Sequence, residues 1–98
     1  MNTLMIINQL RLMAAQAAVL SELTEPDLKT AVFFEGKKSG FEVLQDKNEY
    51  QVVIVRDLAQ SEAVRHLTEQ SDLLKYQYFC GILAAANEVM GLHIMNRV

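Results

Sequence analysis

Charged side chains are concentrated in the middle of the chain, and both ends are apolar. Of the 21 Asp, Glu, Lys and Arg residues, 18 lie between Glu22 and Lys75. Both ends have the pattern of helices, and one domain of 98 residues has too little interior to bury two apolar helices completely. We therefore expect another protein chain to cover the surplus apolar surface.

The pattern predicts a first helix over residues 3–23. Its main apolar face recurs at spacings of three and four residues, which is typical of one side of a helix. That face consists of Ile6, Leu10, Met13, Ala17 and Leu20. Met5, Leu12 and Val19 lie seven residues apart in the polar sector of the same helix. They are either incidental exposed residues or a narrow seam for a partner helix.

Three strands are predicted next, because the following segments are rich in β-branched and aromatic residues and are bounded by turn signals. They are Thr30–Glu35, Phe41–Gln45 and Tyr50–Val55, with turns at 36–40 and 46–49. Gly36 and Gly40 stand at the ends of the first turn, where they can adopt positive φ. The short connections favour an antiparallel meander.

A long last helix is predicted after the strands. Asp57 has the position of an N-cap, with Gln60 completing a capping-box pattern. The polar stretch Thr68–Asp72 favours a break or kink, with Ser71 able to cap a new helix that starts near Leu73. Two opposite stripes of that helix are apolar, so we expect burial on two sides. Leu74, Tyr78, Ile82, Ala85 and Val89 should pack on the sheet or the first helix, while Phe79, Leu83, Met90 and Ile94 should face another chain.

These elements predict a single α+β domain over residues 1–98. The order is α-β-β-β-α, with a three-stranded antiparallel meander packed on an N-terminal helix and a long, broken or kinked C-terminal helix. Gly81, Ala84 and Ala85 in the last helix are small enough to allow close approach of another helix.

No constellation of residues predicts a catalytic, cofactor-binding or metal site. Cys80 is the single cysteine, so it can form no disulfide within the chain, and its apolar surroundings favour a buried, inert thiol. His93 lies 13 residues further along the same helix, roughly 20 Å away at 1.5 Å per residue. His66 could approach Cys80 only through a fold-back at the polar break. The spacings typical of zinc sites are absent from the sequence.

Charge and hydropathy argue against nucleic acid and membrane partners. The net charge is −3, which gives no electrostatic attraction to phosphates. The predicted element order is shared by double-stranded-RNA-binding domains, but the segment Asp57–Glu62 is acidic where such domains need basic residues. The apolar run Tyr78–Ala86 is ended by Asn87 and Glu88, which favours a buried helix over a membrane span. We expect a cytoplasmic protein.

The sequence is most consistent with a non-enzymatic protein–protein interaction module, either a homo-oligomer, with a dimer favoured, or a small subunit of a larger complex. The predicted interface residues are Met5, Leu12, Val19, Phe79, Leu83, Met90 and Ile94. One alternative is an inhibitor or adaptor of phage or mobile-element type that occludes a surface of a larger host protein. A second alternative is a small ligand-binding domain or enzyme with its site across a dimer interface.

Overall fold

The described part of the chain, residues 3–23, 28–69 and 72–95, forms four helices and contains no strand. In this computed structural model the helices are α1 (Thr3–Leu23), α2 (Leu28–Leu44), α3 (Glu49–Thr68) and α4 (Leu73–Met95). Side chains of α1 are described from residue 8 onward. The prediction of an α+β fold with a three-stranded meander is therefore wrong, and the fold is all-α.

The predicted strands lie almost entirely within α2 and α3. Short runs of β-branched residues fit a buried helix segment as well as a buried strand, and packing decides between them. In α3 the buried residues Val52, Ala59, Ala63 and His66 recur at spacings of seven, four and three. That spacing places them on one side of a helix. The run Val52–Val55 therefore winds around α3, with Val52 fully buried and Ile54 43% exposed.

Helix caps were only partly readable from the sequence. The capping box belongs to Asn48 and Gln51, whose side-chain oxygens accept each other's backbone N–H at 2.8 and 2.9 Å. Asp57, the predicted N-cap, lies inside α3. At the start of α4, the Asp72 carboxylate accepts the backbone N–H three residues further on, at 3.1 Å. Ser71, the other predicted cap, lies outside the described residues.

Two of the predicted interruptions of secondary structure are confirmed, although the elements on either side of one of them differ from the prediction. The predicted turn at 46–49 coincides closely with the connection between α2 and α3, which covers 45–48. The predicted break at Thr68–Asp72 falls between the last residue of α3, Thr68, and the first residue of α4, Leu73. The bounds of α1 also agree with the prediction.

The helices are neighbours in the spatial order α1, α2, α4, α3. Within the described residues α4 packs along both α2 and α3, and α1 packs mainly on α2. No extensive contact joins α3 to α1 or to α2. A closed four-helix bundle would need such a contact, so the array is open and α1 and α3 are its outer members.

α2 and α4 approach each other so closely that their backbones touch. A Cβ atom on Gly36 would overlap the carbonyl oxygen of Tyr78, and one on Gly81 would overlap the backbone of α2. A Cβ atom on Gly40 would lie 2.7 Å from the Cβ of Ala85. Gly36 and Gly40 are therefore a small-residue helix contact rather than the predicted turn. Likewise, Gly81 and Ala85 provide close approach to α2 of the same chain.

The hydrophobic core joins α1, α2, α3 and α4. Its buried members are Leu10, Ala14, Phe41, Leu44, Val52, Ala85, Ala86 and Val89. Of the α4 stripe predicted to face inward, Ala85 and Val89 are fully buried, whereas Leu74 is 40% exposed. Since the described residues contain no sheet, this stripe packs chiefly on α2.

Polar contacts add to the packing between helices. Lys37 on α2 pairs with Glu88 on α4 at 2.8 Å, and its ammonium lies 5.9 Å from the ring centre of Phe41. The Ser21 hydroxyl of α1 donates to the carbonyl of Ala31 in α2 at 3.0 Å. The ion pair of Lys37 with Glu88 joins α2 to α4, whereas the hydrogen bond of Ser21 holds α1 against α2. Within the described residues α1 is held on this one side.

Candidate functional site

The outward side of α1 carries large apolar side chains that nothing in the described chain covers. Leu12, Val19 and Leu23 are 60%, 53% and 72% exposed, and Ala15 is also exposed. We call these four residues the α1 stripe. At 100° per residue, Leu12, Val19 and Leu23 lie within about 40° of one another around the helix axis. They therefore form one continuous face.

The face of α1 that packs on the rest of the protein lies directly opposite. Leu10, Ala14 and Ala17 are buried, at about 180° from the middle of the α1 stripe. A helix that is apolar on one side and polar on the other needs a single neighbour. α1 is apolar on two opposite sides and has a neighbour on one of them.

Two opposite charges border the α1 stripe. Arg11 and Glu22 are both exposed, and neither has an ion-pair partner within the described residues. Around the helix they lie on the same flank, about 60–85° from the middle of the stripe. Along the helix they lie near the two ends of the stripe. The stripe itself contains no charge.

The predicted interface residues do not share one environment. In α1, Leu12 and Val19 are exposed, while the side chain of Met5 lies outside the described part of the chain. In α4, Ile94 is 51% exposed. The remaining predicted residues of α4 are half-buried within the chain: Phe79, Leu83 and Met90.

Two of these half-buried residues have identified neighbours. Phe79 stacks on the His66 ring of α3, with ring centres 5.4 Å apart and planes 5° from parallel. Met90 packs against the hydrophobic core. The outer stripe of α4 is thus largely occupied by contacts within the chain, since α3 lies against it.

α3 has an exposed apolar surface that the sequence analysis did not single out. Tyr50, Leu58 and Val64 are 74%, 62% and 53% exposed. Tyr50 lies in the segment that was predicted as a strand, whereas Leu58 and Val64 lie in the part of α3 that was predicted as a helix. For Tyr50, the signal that could have corrected the prediction was the Asn48–Gln51 capping pair, which marks the start of a helix.

A polar cluster of Glu62, Arg65 and His66 lies near the end of α3. The Arg65 guanidinium lies 2.6 Å from a Glu62 oxygen, and His66 Nε2 lies 3.5 Å from the same carboxylate. The hydrogen bond between the two side chains lowers the pKa of Glu62 and raises the pKa of Arg65. The cluster thus pairs a carboxylate with an imidazole.

The imidazole of that cluster is positioned for packing rather than for contact with a substrate. His66 is 6% exposed and lies flat against Phe79, and its Nδ1 has no hydrogen-bond partner within the described residues. The described residues also contain no group of three or more His, Cys, Asp and Glu side chains that could hold a metal ion. The arrangement therefore fastens α3 to α4.

Cys80 is half-buried rather than fully buried as predicted. The Tyr76 hydroxyl, one turn earlier, interacts with the Cys80 thiol, and this interaction raises the pKa of Tyr76. The fold-back at the end of α3 does bring His66 to α4, where it contacts Phe79. The group that interacts with the thiol, however, is a phenol and not the imidazole that a nucleophilic pair would need.

α4 is the one helix in the described residues that is long and apolar enough to span a membrane by length and composition. It is also the central helix of the array, packed between α2 and α3. The radius of gyration is 13.6 Å, close to the ~13 Å of a compact domain of 100 residues. The core helix of a compact domain passes the same test of length and composition.

Models of protein families, curated protein sequences and solved structures were compared with the chain, and no match was found in any of the three.

Proposed function

We propose that this protein is a non-enzymatic, cytoplasmic protein–protein interaction module that acts as a homo-oligomer or as a small subunit of a larger complex. The observation that supports this proposal is the α1 stripe. Single exposed apolar residues are common on folded proteins, but a continuous apolar face is typical of a binding surface. The stripe has large side chains, no charge and no neighbour among the described residues.

Burial of such a face is favourable because each square ångström of apolar surface removed from water contributes about 25 cal/mol. Within the described residues α1 is an outer helix of the array and packs mainly on α2, so the chain does not cover the opposite face by itself. Another polypeptide can cover this face without any change in the described fold.

The net charge of −3 and the lack of charge on the stripe favour a protein partner over a nucleic acid, whose phosphates attract clusters of Lys and Arg. Of the α4 residues predicted as interface, Ile94 is 51% exposed and offers a second point of contact near the end of α4.

Sedimentation velocity of the purified protein over a wide concentration range tests this function. A mass that rises with concentration towards that of a dimer or higher oligomer supports self-association. A complex of defined stoichiometry, reconstituted from this protein and one purified partner, supports the subunit form. The proposal would be contradicted by a protein that is monomeric at every concentration and whose deletion from the cell that produces it changes the composition of no protein complex.

A further inference from the structure

We infer that two copies of this chain pair through α1 in antiparallel orientation, with Arg11 of each copy beside Glu22 of the other. This inference rests on the proposed function and adds the surface, the orientation and the register of the contact. It uses two independent features, namely the shape of the α1 stripe and the position of the two charges beside it.

The charges select the antiparallel orientation. A twofold axis perpendicular to both helices keeps each flank of α1 next to the same flank of the other copy. Arg11 and Glu22 share a flank, so the antiparallel pairing brings opposite charges together twice, once at each end. A parallel pairing would instead place this flank against the other one, which carries Gln9 and Leu20 and has no charge.

The charges also select the register. Arg11 lies opposite Glu22 of the other copy when the twofold axis passes between Gln16 and Ala17. Both charges then lie about 8 Å from the axis, at 1.5 Å per residue. The described part of α1 is long enough for this register, since it continues to Leu23.

The α1 stripe interleaves in that same register. Leu12 of one copy falls between Val19 and Leu23 of the other, and the reverse holds by symmetry. The two Ala15 side chains lie beside the axis, where their small size permits close approach. Alternation of large side chains along two facing helices is the pattern of knobs-into-holes packing. The stripe and the charges therefore specify the same register independently.

The pairing should be weak and reversible. A contact made by one face of one helix falls below the ~1,200 Å² of total buried area that is usual for stable complexes. We therefore expect a dimer with a dissociation constant in the micromolar range, on the order of 10–100 μM. The flanking ion pairs are exposed, so the dimer should weaken as salt rises.

Charge-reversal variants studied by sedimentation equilibrium test the pairing. Arg11→Glu and Glu22→Arg each place like charges together at both ends, so each should weaken the dimer about tenfold. The double variant Arg11→Glu/Glu22→Arg again places opposite charges side by side, with the positive and negative positions exchanged. Its dissociation constant should return to near the wild-type value. Recovery in the double variant is specific to the antiparallel register.

A second pair of variants tests the apolar contact. Val19→Glu places a charge in the middle of the stripe and should abolish dimerisation. Leu58→Glu on α3 is the matched control, since Leu58 is 62% exposed and lies on the opposite outer helix. It should leave the dimer intact. Circular dichroism should show all variants folded, because every substituted side chain is exposed in the single chain.

The outcomes separate this inference from the proposed function. Self-association that survives Val19→Glu, or that Leu58→Glu removes, would refute pairing through α1 and leave the interaction module standing. Failure of the double charge variant to recover would refute the antiparallel register. A wild-type protein that is monomeric throughout the concentration range would refute the inference, and the proposed function would then depend on its complex with a different protein.

Discussion

The inner helices α2 and α4 and the outer helices α1 and α3 are stabilised in different ways. Between α2 and α4 the decisive feature is the absence of side chains, because Gly36 and Gly81 let the two backbones touch. The outer helices have one packed side each and depend more on local features. α3 begins with a reciprocal capping box at Asn48 and carries the ion pair of Glu62 with Arg65.

Tolerance to substitution should therefore follow position in the array more than residue type. An added methyl group is forbidden where two backbones meet, but it is harmless where a helix faces solvent. Conversely, loss of a cap matters at the start of an outer helix, since less packing is available there to hold the first turn in place.

The strongest contrast lies within α4 itself. Gly81→Ala should destabilise the protein by about 3 kcal/mol or more, because the new Cβ overlaps the backbone of α2 and the helices must separate. Gly91→Ala is the matched control on the same helix. Its Cβ would meet nothing within 4 Å, so it should stabilise by about 0.5–1 kcal/mol through helix propensity. Urea denaturation measures both changes in the free energy of unfolding.

Equal effects of the two alanine substitutions would show that α2 and α4 are not in backbone contact. A loss smaller than about 0.5 kcal/mol at Gly81 would lead to the same conclusion, since surface substitutions give changes of that size.

The capping box should account for a smaller, local effect on an outer helix. Asn48→Ala should cost about 1 kcal/mol of unfolding free energy, because it leaves the N–H of Gln51 without its acceptor. Asp57→Ala provides the control, since Asp57 lies on the exposed side of α3 and caps nothing. It should change stability by less than about 0.5 kcal/mol. If Asp57→Ala were the more damaging change, α3 would begin later than Glu49.

The ion pair between Lys37 and Glu88 should add little to the contact of the inner helices. A double-mutant cycle with Lys37→Ala and Glu88→Ala isolates the pair from the packing of the lysine stem on Phe41. Both groups are partly exposed, so the coupling energy should be about 0.5 kcal/mol and should fall as salt is added. A coupling above about 2 kcal/mol would show that water is excluded from this pair.

The smallest predicted effect concerns pH and the outer helix α3. The Arg65 guanidinium lowers the pKa of Glu62, so the carboxylate favours the folded state at pH values above its ordinary pKa. This contribution should decrease as the pH falls through the lowered pKa of the folded state. NMR titration should show the pKa of Glu62 rising towards its ordinary value in the Arg65→Gln variant. An unchanged pKa in that variant would mean that the two side chains do not pair in solution.

The bounds of α1 and the break before α4 could be predicted because sequence pattern and packing agree there. In α1, Leu10 and Ala17 were assigned to the main apolar face, and both are buried. The polar stretch after Thr68 was read as a break because no apolar residue there continues a buried face, and α3 does end at Thr68. In these regions one physical signal was sufficient.

The middle of the chain was predicted wrongly because its local signals fit two structures. Gly36 and Gly40 suit a tight turn, and they suit a close helix contact four residues apart equally well. The choice depends on whether a second helix with a small residue such as Gly81 lies opposite, and the local sequence does not contain that information. The run Val52–Val55 is ambiguous for the same reason, since burial on either a strand or a helix satisfies it.

The candidate site was predicted in part. The heptad spacing of Leu12 and Val19 picked out residues that the structure leaves exposed. Ala15 and Leu23, which complete the α1 stripe, were not singled out, although helical spacing connects them to Val19. Phe79 was assigned to an outer surface because the local pattern does not show which helix packs against it. In the structure α3 lies along α4, and the imidazole of His66 stacks on Phe79.

The position of α4 between α2 and α3 has a consequence for how the chain acquires its structure. The contacts that hold α2 in place, such as Gly36 against Tyr78, join positions about 40 residues apart in the chain. Helix pairs with such distant contacts form more slowly than hairpins of consecutive helices, because a long loop must be ordered first. During synthesis on the ribosome, α2 and α3 emerge before the helix that fills the space between them. The nascent protein should therefore keep its apolar surfaces open, and exposed to chaperones or to a second nascent chain, until Met95 has left the exit tunnel.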